Sequence, residues 1–331
     1  MINIKAAVLE DEKKLVYRED FPEPEVGKDD AKVKVHYCGI CGSDLSNYKY
    51  KLYGFTPIIM GHEFSGEIVK LGENIKDFQV GDRVVGINVS LETTGGEMRG
   101  LGIFQNGGYA EYVIVNKNDL FKIPENLNFL EAVMIESFAN SVRAMKLSEV
   151  KESEKMMIIG GGNIGLCTLC TLISERNPEY IVVIEPQEYL REKAKELGAI
   201  EAFPPRKNKI KKFIKNSGEP TTIFECAGNV NALNLAIGLI KKRGTILVEG
   251  IYRGTIDFPM MIINSKEIKI QGSLGHDKDD INDAIALVEK LKDKIIKFPK
   301  IVGSLKDAPK IFQEMILPKE REYIKAVLKI I

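Results

Sequence analysis

The stretch Met156-Met-Ile-Ile-Gly160-Gly-Gly-Asn-Ile-Gly165 decides the fold of this chain. A short apolar run leads directly into glycines spaced as G-x-G-x-x-G, and a helical pattern follows over about 163–175. Glycines between a parallel strand and a helix let the backbone approach a pyrophosphate, which the start of the helix then holds. The stretch therefore predicts a dinucleotide-binding βαβ unit rather than a tight turn that binds nothing.

The same alternation of strand and helix continues on the C-terminal side of this motif. Further helices are predicted at 187–197, 207–216 and 230–242, between apolar segments that read as strands: 156–159, 181–185, 201–203, 222–226, 245–249 and 267–272. Strands alternating with amphipathic helices are typical of a parallel sheet with crossover helices, and six strands complete a Rossmann domain. The sequence predicts that this domain spans 141–275.

An acidic residue supports nicotinamide adenine dinucleotide (NAD) as the cofactor. Glu185 ends the second predicted strand, 20 residues after Gly165. A carboxylate there can accept hydrogen bonds from the adenosine ribose and would repel a 2′-phosphate, which favours NAD over NADP. The residues predicted to contact the cofactor are Gly160, Gly162, Asn163, Ile164, Gly165, Glu185, Ala227 and Gly250.

The first 125 residues are rich in strand patterns. Lys32–Tyr37 and Phe64–Val69 alternate apolar and polar positions, while 128–146 has the spacing of a helix. A tail with a helix at 279–292 and a strand at 324–330 is too short to bury a core of its own. We expect it to pack onto the N-terminal region, so that 1–140 and 276–331 form one domain.

Two short blocks in this region contain candidate metal ligands, Cys38-Gly-Ile-Cys-Gly-Ser-Asp44 and Gly61-His-Glu63. A thiolate, an imidazole and a carboxylate can hold a catalytic zinc while leaving one coordination position open. Asp44 is a candidate to accept the far ring N–H of His62 and so orient it. Zinc together with a nicotinamide indicates metal-assisted hydride transfer.

The cysteines allow another arrangement of the metal. Cys38 and Cys41 form one C-x-x-C pair, and Cys167 and Cys170 form a second. Two such pairs can make a four-cysteine zinc knot. The second pair, however, lies among leucines inside the helix after the glycine turn, where small apolar cysteines pack well. We interpret it as core packing.

Composition excludes several classes of function. The 331 residues include 47 basic and 47 acidic side chains, so no net charge favours nucleic acid or an anionic membrane. No apolar run is long enough to span a membrane, and the first 20 residues lack a signal-peptide core. Five cysteines, an odd number, argue against a secreted disulfide scaffold. We expect a cytoplasmic protein.

Longer blocks resemble a known family. They are Gly61-His-Glu-Phe-Ser-Gly66, Gly81-Asp-Arg-Val84 and Gly107-Gly-Tyr-Ala-Glu-Tyr112, and the resemblance extends over essentially the whole chain. The chain resembles the zinc-dependent medium-chain dehydrogenases, which include alcohol, sorbitol and threonine dehydrogenases. The resemblance implies an α/β fold: a GroES-like, β-rich catalytic domain plus a Rossmann domain with a doubly wound parallel sheet.

The resemblance also implies roles for individual residues. It selects Cys41 as a zinc ligand with His62, and leaves Cys38 as a wall residue. Ile135-Glu-Ser-Phe-Ala-Asn-Ser-Val142 resembles the polyol dehydrogenase segment that supplies a third ligand, here Glu136. Glu63 would be a nearby carboxylate able to swing onto the metal, and Ser43 would pass the substrate proton outward. Both carboxylates and Ser43 would therefore lie at the reacting centre.

The substrate expected from this resemblance is a polyol or sugar alcohol. L-threonine and simple alcohols remain open, because Phe138-Ala-Asn-Ser-Val142 also resembles threonine dehydrogenases. A zinc-free enone or quinone reductase and a non-enzymatic nucleotide-binding protein are less favoured, since the ligand set is intact. We also expect a homo-oligomer, a dimer or a tetramer.

The chain departs from the family pattern at three places. Asp82 to Gly108 contains no cysteine, so the four-cysteine structural zinc lobe is missing and we expect one zinc per chain. Ser46 replaces the usual relay histidine, which leaves the outer proton path undefined. Leu190 replaces an arginine that usually follows the ribose-binding acid, with Arg191 one place further on.

Overall fold

The computed structural model describes residues 2–87, 100–317, 320 and 322–331. The chain divides into two compact units, Met1–Glu136 with His276–Ile331 and Ser137–Gly275. We call them the first and second unit. The predicted boundary at 140–141 and the observed division both fall within the helix Ile135–Ser148.

Strands occur in both units. They are β1 (Asn3–Asp11), β2 (Lys14–Pro22), β3 (Asp30–Gly39), β4 (Ile58–Ile59), β5 (Phe64–Leu71), β6 (Arg83–Gly86), β7 (Tyr112–Asn116), β8 (Leu120–Lys122), β9 (Lys155–Ile159), β10 (Tyr180–Ile184), β11 (Glu201–Phe203), β12 (Thr222–Glu225), β13 (Thr245–Val248), β14 (Lys269–Gly272), β15 (Pro299–Ser304) and β16 (Lys325–Lys329).

Helices connect these strands. They are α1 (Gly42–Tyr50), α2 (Phe129–Ala132), α3 (Ile135–Ser148), α4 (Asn163–Arg176), α5 (Glu188–Leu197), α6 (Lys207–Ser217), α7 (Val230–Leu239), α8 (Met260–Lys266), α9 (Lys278–Ile295) and α10 (Ala308–Met315). No helix among the described residues is long and apolar enough to cross a membrane.

The second unit, all of which is described, is built on one parallel sheet of six strands. Its order is β11-β10-β9-β12-β13-β14, and every neighbouring pair is parallel. In sequence order this is 3-2-1-4-5-6, the order of a doubly wound Rossmann domain. The strand order reverses between β9 and β12, so a crevice opens beyond the carboxyl ends of these two strands. The predicted fold of this half is confirmed.

Two details of the second unit differ from the sequence prediction. The helix expected over 230–242 ends at Leu239, because Ile240 is extended and a turn at Lys241–Gly244 follows. Helix α8 was not predicted, and none of its seven residues is buried. A helix without a buried face lacks the apolar periodicity by which helices are recognised.

The first unit is β-rich, as expected. In its described part, one sheet has the order β15-β16-β3-β5-β6-β8, with β7 also pairing with β3, and a smaller sheet has the order β2-β1-β4. A cluster of buried side chains, among them Val33, Phe64 and Phe312, fills its interior. The C-terminal tail packs on this unit as predicted: β16 is antiparallel to β3 and pairs Leu328 with Cys38.

The helix predicted over 128–146 is divided in two. Asn128 and Glu131 form a capping box that starts α2, and the N–H of Met134 donates to the carbonyl of Glu131, three residues back. That bond tightens the chain and ends α2 before α3 begins at Ile135. The break places Glu136 in the first turn of α3 rather than in the middle of a long helix.

Candidate active site

Helix α1 presents Cys41, Ser43 and Asp44 at its start. Cys41 is the N-cap residue, with extended backbone angles of φ −88° and ψ 156°, and its N–H donates to Asp44 Oδ2 at 2.9 Å. This bond holds Asp44 at the third helical position, and the thiol of Cys41 lies at the positive end of the helix. The sequence analysis did not predict α1, but its first turn contains Ser43 and Asp44 of the block Cys38–Asp44.

His62 and Glu63 lie directly before β5, and both are buried. His62 Nδ1 is 3.5 Å from Asp44 Oδ1, and His62 Nε2 is 3.5 Å from Ser43 Oγ. Asp44 therefore faces one ring nitrogen, while the other nitrogen lies near Ser43. A carboxylate in that position sets the tautomer of a ligand histidine.

Asp44 is held as an anion. Burial opposes its charge, but His62, the Cys41 N–H and the Tyr109 hydroxyl lower the pKa of Asp44 below its usual value. Burial also opposes a charged imidazole, yet Asp44 raises the pKa of His62 well above its usual value. Tyr109 donates to Asp44 Oδ2 at 2.8 Å, and burial and Asp44 together raise the pKa of Tyr109, so it stays a donor.

Three potential ligands converge beside this pair. Single ligand atoms of Cys41, His62 and Glu63 all lie within 4.8 Å of one another. A thiol, an imidazole and a carboxylate are the donor types found in catalytic zinc sites, so this set fits a zinc ion. Cys38 lies outside the group and is fully buried.

Glu136, the third ligand that the resemblance implies, is not in this group of described residues. It is buried, and it lies near enough to Lys325 to raise the pKa of that lysine. The structure therefore brings together Cys41, His62 and Glu63. Glu136 lies close to Lys325, which also contacts Glu63.

Lys325 is the main residue that the sequence analysis missed. Its ammonium forms an ion pair with Glu63 Oε2, and the two side chains are only 2% and 0% exposed. Burial opposes its charge, but Glu63, Cys41 and Glu136 raise the pKa of Lys325. A Cβ on Gly39 would lie 2.5 Å from Glu63 Oε2, so only glycine leaves room for this pair. The available signal was a lysine inside the apolar run Ile324–Leu328.

Tyr53 lies against the same group of side chains. Burial raises the pKa of Tyr53, and His62, Cys41, Asp44 and the hydroxyl of Ser43 also affect it. Its backbone N–H is 3.2 Å from Asn47 Oδ1, which ties the loop after α1 to that helix. Tyr53 therefore lies beside Ser43.

In the second unit, the glycine turn has the geometry that a dinucleotide needs. Gly160 has a φ of +101°, and a Cβ at Gly165 would meet the carbonyl oxygen of Gly160 at 1.8 Å, so both must be glycine. Gly162 is the N-cap of α4 and makes no side-chain cap bond, and a Cβ there would meet nothing within 4 Å. Backbone N–H groups at an open helix start are what a pyrophosphate binds, so the turn fits a nicotinamide dinucleotide.

The remaining predicted cofactor residues surround this turn. Glu185 Oε2 accepts a hydrogen bond from the N–H of Gly161 at 2.8 Å, which holds the carboxylate against the glycine turn. Asn163 donates its side-chain amide to Ser137 Oγ at 2.8 Å, and Ile164 beside it is partly exposed. Ala227 follows β12, and its N–H donates to Glu225 Oε1. The N–H of Gly250 donates to the carbonyl of Glu225, so both lie at the carboxyl edge of the sheet.

Cys167 and Cys170 are buried in α4, consistent with a packing role. The loop over 82–108, in which a structural zinc was not expected, falls partly on residues 88–99, which lie outside the described residues.

Two family models match the chain. Residues 27–125 match the alcohol dehydrogenase GroES-like domain, and residues 164–290 match the zinc-binding dehydrogenase domain. A sorbitol dehydrogenase of Halalkalibacterium halodurans is 31% identical and covers 82% of this chain and 84% of its own length. The (R,R)-butanediol dehydrogenase of Bacillus subtilis is 32% identical, covering 77% and 79%.

A solved structure is similar over the full length. It is a putative zinc-binding dehydrogenase from Sinorhizobium meliloti bound to NADP, with a TM-score of 0.89, 26% identity, and coverage of 99% of this chain and 100% of that chain. Fold and comparisons together define an oxidoreductase of the alcohol dehydrogenase type. The chain belongs to the zinc-dependent medium-chain dehydrogenase family.

Proposed function

We propose that this protein interconverts a secondary alcohol of the polyol or sugar-alcohol class and its ketone, by hydride transfer with NAD and one zinc ion. The observation that carries the proposal is the convergence of Cys41 and His62 beside two buried carboxylates, Glu63 within 4.8 Å of both and Glu136 near Lys325. The two curated relatives are named for sorbitol and (R,R)-butanediol, which both have adjacent hydroxyl groups. We assign the same class of substrate to this chain, with L-threonine and simple alcohols as alternatives.

In this proposal Cys41 and His62 hold the zinc together with a carboxylate. Zinc bound there would polarise an alcohol or carbonyl oxygen. We assign the third position to Glu136, because Glu63 Oε2 is already engaged by the ammonium of Lys325. Ser43 takes the proton of the substrate hydroxyl and passes it outward, and we assign Tyr53, which lies beside Ser43, as the next group along that path.

The choice between the two carboxylates can be tested by zinc affinity. We expect Glu136→Gln to weaken zinc binding at least tenfold and Glu63→Gln to weaken it less, in competition with a chromophoric chelator. The opposite order would make Glu63 the ligand. Metal analysis of the wild type should give one zinc per chain, and a value near two would show that a second zinc site exists.

We propose NAD as the cofactor, because the carboxylate of Glu185 lies against the glycine turn, where it would repel a 2′-phosphate. The NADP-bound relative makes this worth a direct test. NAD should exceed NADP in kcat/KM by at least tenfold, and Glu185→Ala should narrow that gap mainly by weakening NAD. A wild type that prefers NADP would contradict the assignment.

The decisive experiment is a substrate screen. The zinc-loaded protein is supplied with NAD and a panel of polyols, sugar alcohols, L-threonine and short alcohols, and NADH is followed by absorbance. We expect the fastest turnover with a polyol. Faster oxidation of L-threonine would favour the alternative, and reduction of enones without dependence on zinc would favour a zinc-free reductase.

We further propose a cytoplasmic homo-oligomer, a dimer or a tetramer. All five cysteines are free, which supports a reducing compartment. Analytical ultracentrifugation tests the oligomer, and a sedimentation coefficient of a 37.0 kDa monomer would contradict it.

A further inference from the structure

Glu249 lies where the doubly wound sheet opens. It follows β13, and its backbone N–H donates to the carbonyl of Glu225 at the end of β12. Its carboxyl reaches Thr168 on α4, the helix of the glycine turn. The group thus connects the ends of β12 and β13 with α4, beside the point at which the strand order reverses.

The contacts of this carboxyl suit both of its charge states. Thr168 Oγ1 lies 3.1 Å from Oε1 and 3.3 Å from Oε2, and it also lies 3.3 Å from Ser141 Oγ. An ionised Glu249 can accept a hydrogen bond from the hydroxyl of Thr168. A protonated Glu249 can instead donate to Thr168, which then donates to Ser141 by rotating its hydroxyl. Either state leaves the group hydrogen-bonded.

The partners of Glu249 are neutral. Cys226 Sγ donates to Oε1 at 3.2 Å, and burial and Glu249 keep the pKa of Cys226 well above its usual value, so it remains a thiol. The other titratable group acting on it is Glu225, a second acid. Burial, reinforced by Glu225, raises the pKa of Glu249 to about 8. The residue is still partly exposed, so it can exchange a proton with solvent.

The position of Glu249 indicates which half of a bound dinucleotide lies on its side of the sheet. A doubly wound sheet consists of two mononucleotide-binding halves that meet where the strand order reverses. Glu185 and β9–β11 belong to the adenosine half, so the nicotinamide half lies over the carboxyl ends of β12–β14. The nicotinamide ring carries one positive charge when oxidised and none when reduced.

We propose that Glu249 discriminates between the oxidation states of the cofactor, because its carboxylate attracts the cationic nicotinamide ring and is indifferent to the neutral one. This rests on the nucleotide binding of the proposed function. When NAD⁺ binds to the protonated form, Glu249 releases its proton to solvent, and the binding of NADH leaves the proton in place. Oxidised cofactor therefore binds more tightly as pH rises, and reduced cofactor does not.

The test compares the dissociation constants of NAD⁺ and NADH between pH 6 and pH 9, by calorimetry and by NADH fluorescence. In the wild type we expect the preference for NAD⁺ over NADH to increase about tenfold across this range. Glu249→Gln should flatten that dependence by weakening NAD⁺ at high pH, with NADH unchanged within about twofold. Glu267→Gln is the matched control, since this acid of the same unit is paired with Lys242 and Arg243 and lies away from the carboxyl edge.

A second variant tests the proposal even if Glu249→Gln does not fold. Thr168→Val removes a donor that stabilises the ionised carboxyl, so the pH midpoint of the NAD⁺ preference should move upward. If both cofactors bind and neither variant alters the pH dependence of their ratio, the role of Glu249 is refuted while the nucleotide site stands. If neither cofactor binds the wild type, the nucleotide site itself is refuted, and the role of Glu249 with it.

Discussion

The two units treat their buried carboxylates in opposite ways. In the first unit, Asp44 faces the imidazole of His62 and Glu63 faces the ammonium of Lys325, so each acid has a nitrogen group beside it that favours its anion. In the second unit, Glu225 accepts from Tyr252 and backbone N–H groups, and Glu249 accepts from Cys226 and Thr168. These donors are neutral. The pKa of Asp44 is lowered, whereas burial raises the pKa of Glu225 and Glu249.

This difference corresponds to two kinds of ligand. A metal ion with a constant charge is best held by side chains whose own charges are fixed by partners, because a buried ion is costly unless it is paired. A cofactor that changes charge during a reaction is better matched by an acid that can change its own. The acids of the first unit therefore keep a fixed charge, whereas the second unit contains Glu249, an acid whose charge can change with pH.

The largest effect should come from breaking the ion pair of the first unit. Lys325→Met leaves Glu63 as a buried anion without its cation, which should lower the free energy of unfolding of the zinc-free protein by about 3–5 kcal/mol. Urea unfolding measures this, and adding Glu63→Gln to the variant should restore part of the loss.

Lys32→Met is the control for that variant. Lys32 pairs with Glu23, whose side chain is 23% exposed, so solvent can replace the lost partner and the cost should be about 1 kcal/mol or less. If Lys325→Met were no more destabilising than Lys32→Met, Lys325 would not be stabilising the buried charge of Glu63.

The second prediction concerns the other pair. Asp44→Asn keeps the hydrogen bond to the Cys41 N–H but removes the charge that orients His62, so zinc affinity should fall about 10–100-fold. Asp307→Asn provides the comparison, because Asp307 has the same capping position in the short 3₁₀ helix Leu305–Asp307, where it accepts the N–H of Ser304. Chelator competition should show a loss only for Asp44→Asn. Equal losses would attribute the effect to helix capping alone.

Local sequence patterns predicted the second unit well and the first less completely. The glycine turn and its flanking strand are contiguous in sequence, and their spacing alone requires the geometry that Gly160 and Gly165 adopt. Lys325 and Glu63 are brought together only by the pairing of β16 with β3, which no local pattern records. Glu249 looked like any acid at a strand end, since its hydrogen bonds come from Thr168 and Cys226 on other elements.

The metal site shows the same limit. Cys41, His62 and Asp44 lie in short blocks whose roles the family resemblance implied, and the structure places these residues side by side. The choice between Glu63 and Glu136 depends on how α3 begins after the break behind α2, which the helical periodicity of 128–146 concealed.

The third prediction sharpens the contrast through pH. Glu249 has a folded pKa above its unfolded value, so the folded state binds the proton more tightly. Its contribution to stability is present below about pH 4.5 and is lost as pH rises toward about 8. Urea unfolding at pH 5, 6.5 and 8 should show the free energy of unfolding of the wild type falling by about 1–2 kcal/mol relative to Glu249→Gln. The effect is modest because solvent screens a partly exposed carboxylate. A difference that stays constant with pH would mean that Glu249 does not titrate in this range.

The smallest effect should come from Cys38, which lies beside the metal group without belonging to it. Its thiol is fully buried, and Cβ atoms added to Gly61 or Gly108 would lie 2.8 and 3.0 Å from its Sγ, so the sulfur fills the space between these glycines. Burial, Asp44 and Glu63 raise the pKa of Cys38 well above its usual value, which keeps it a neutral thiol and a poor ligand.

Cys38→Ala should therefore cost only packing energy, on the order of 1 kcal/mol, with zinc content unchanged. Cys41→Ala, at the start of α1, should lose most of the zinc and the turnover while unfolding at a similar urea concentration. Metal analysis and urea unfolding of the two variants side by side make the comparison. Equal zinc loss in both would place Cys38 in the coordination sphere, and the first unit would then hold its metal through two thiolates rather than through a thiolate and paired carboxylates.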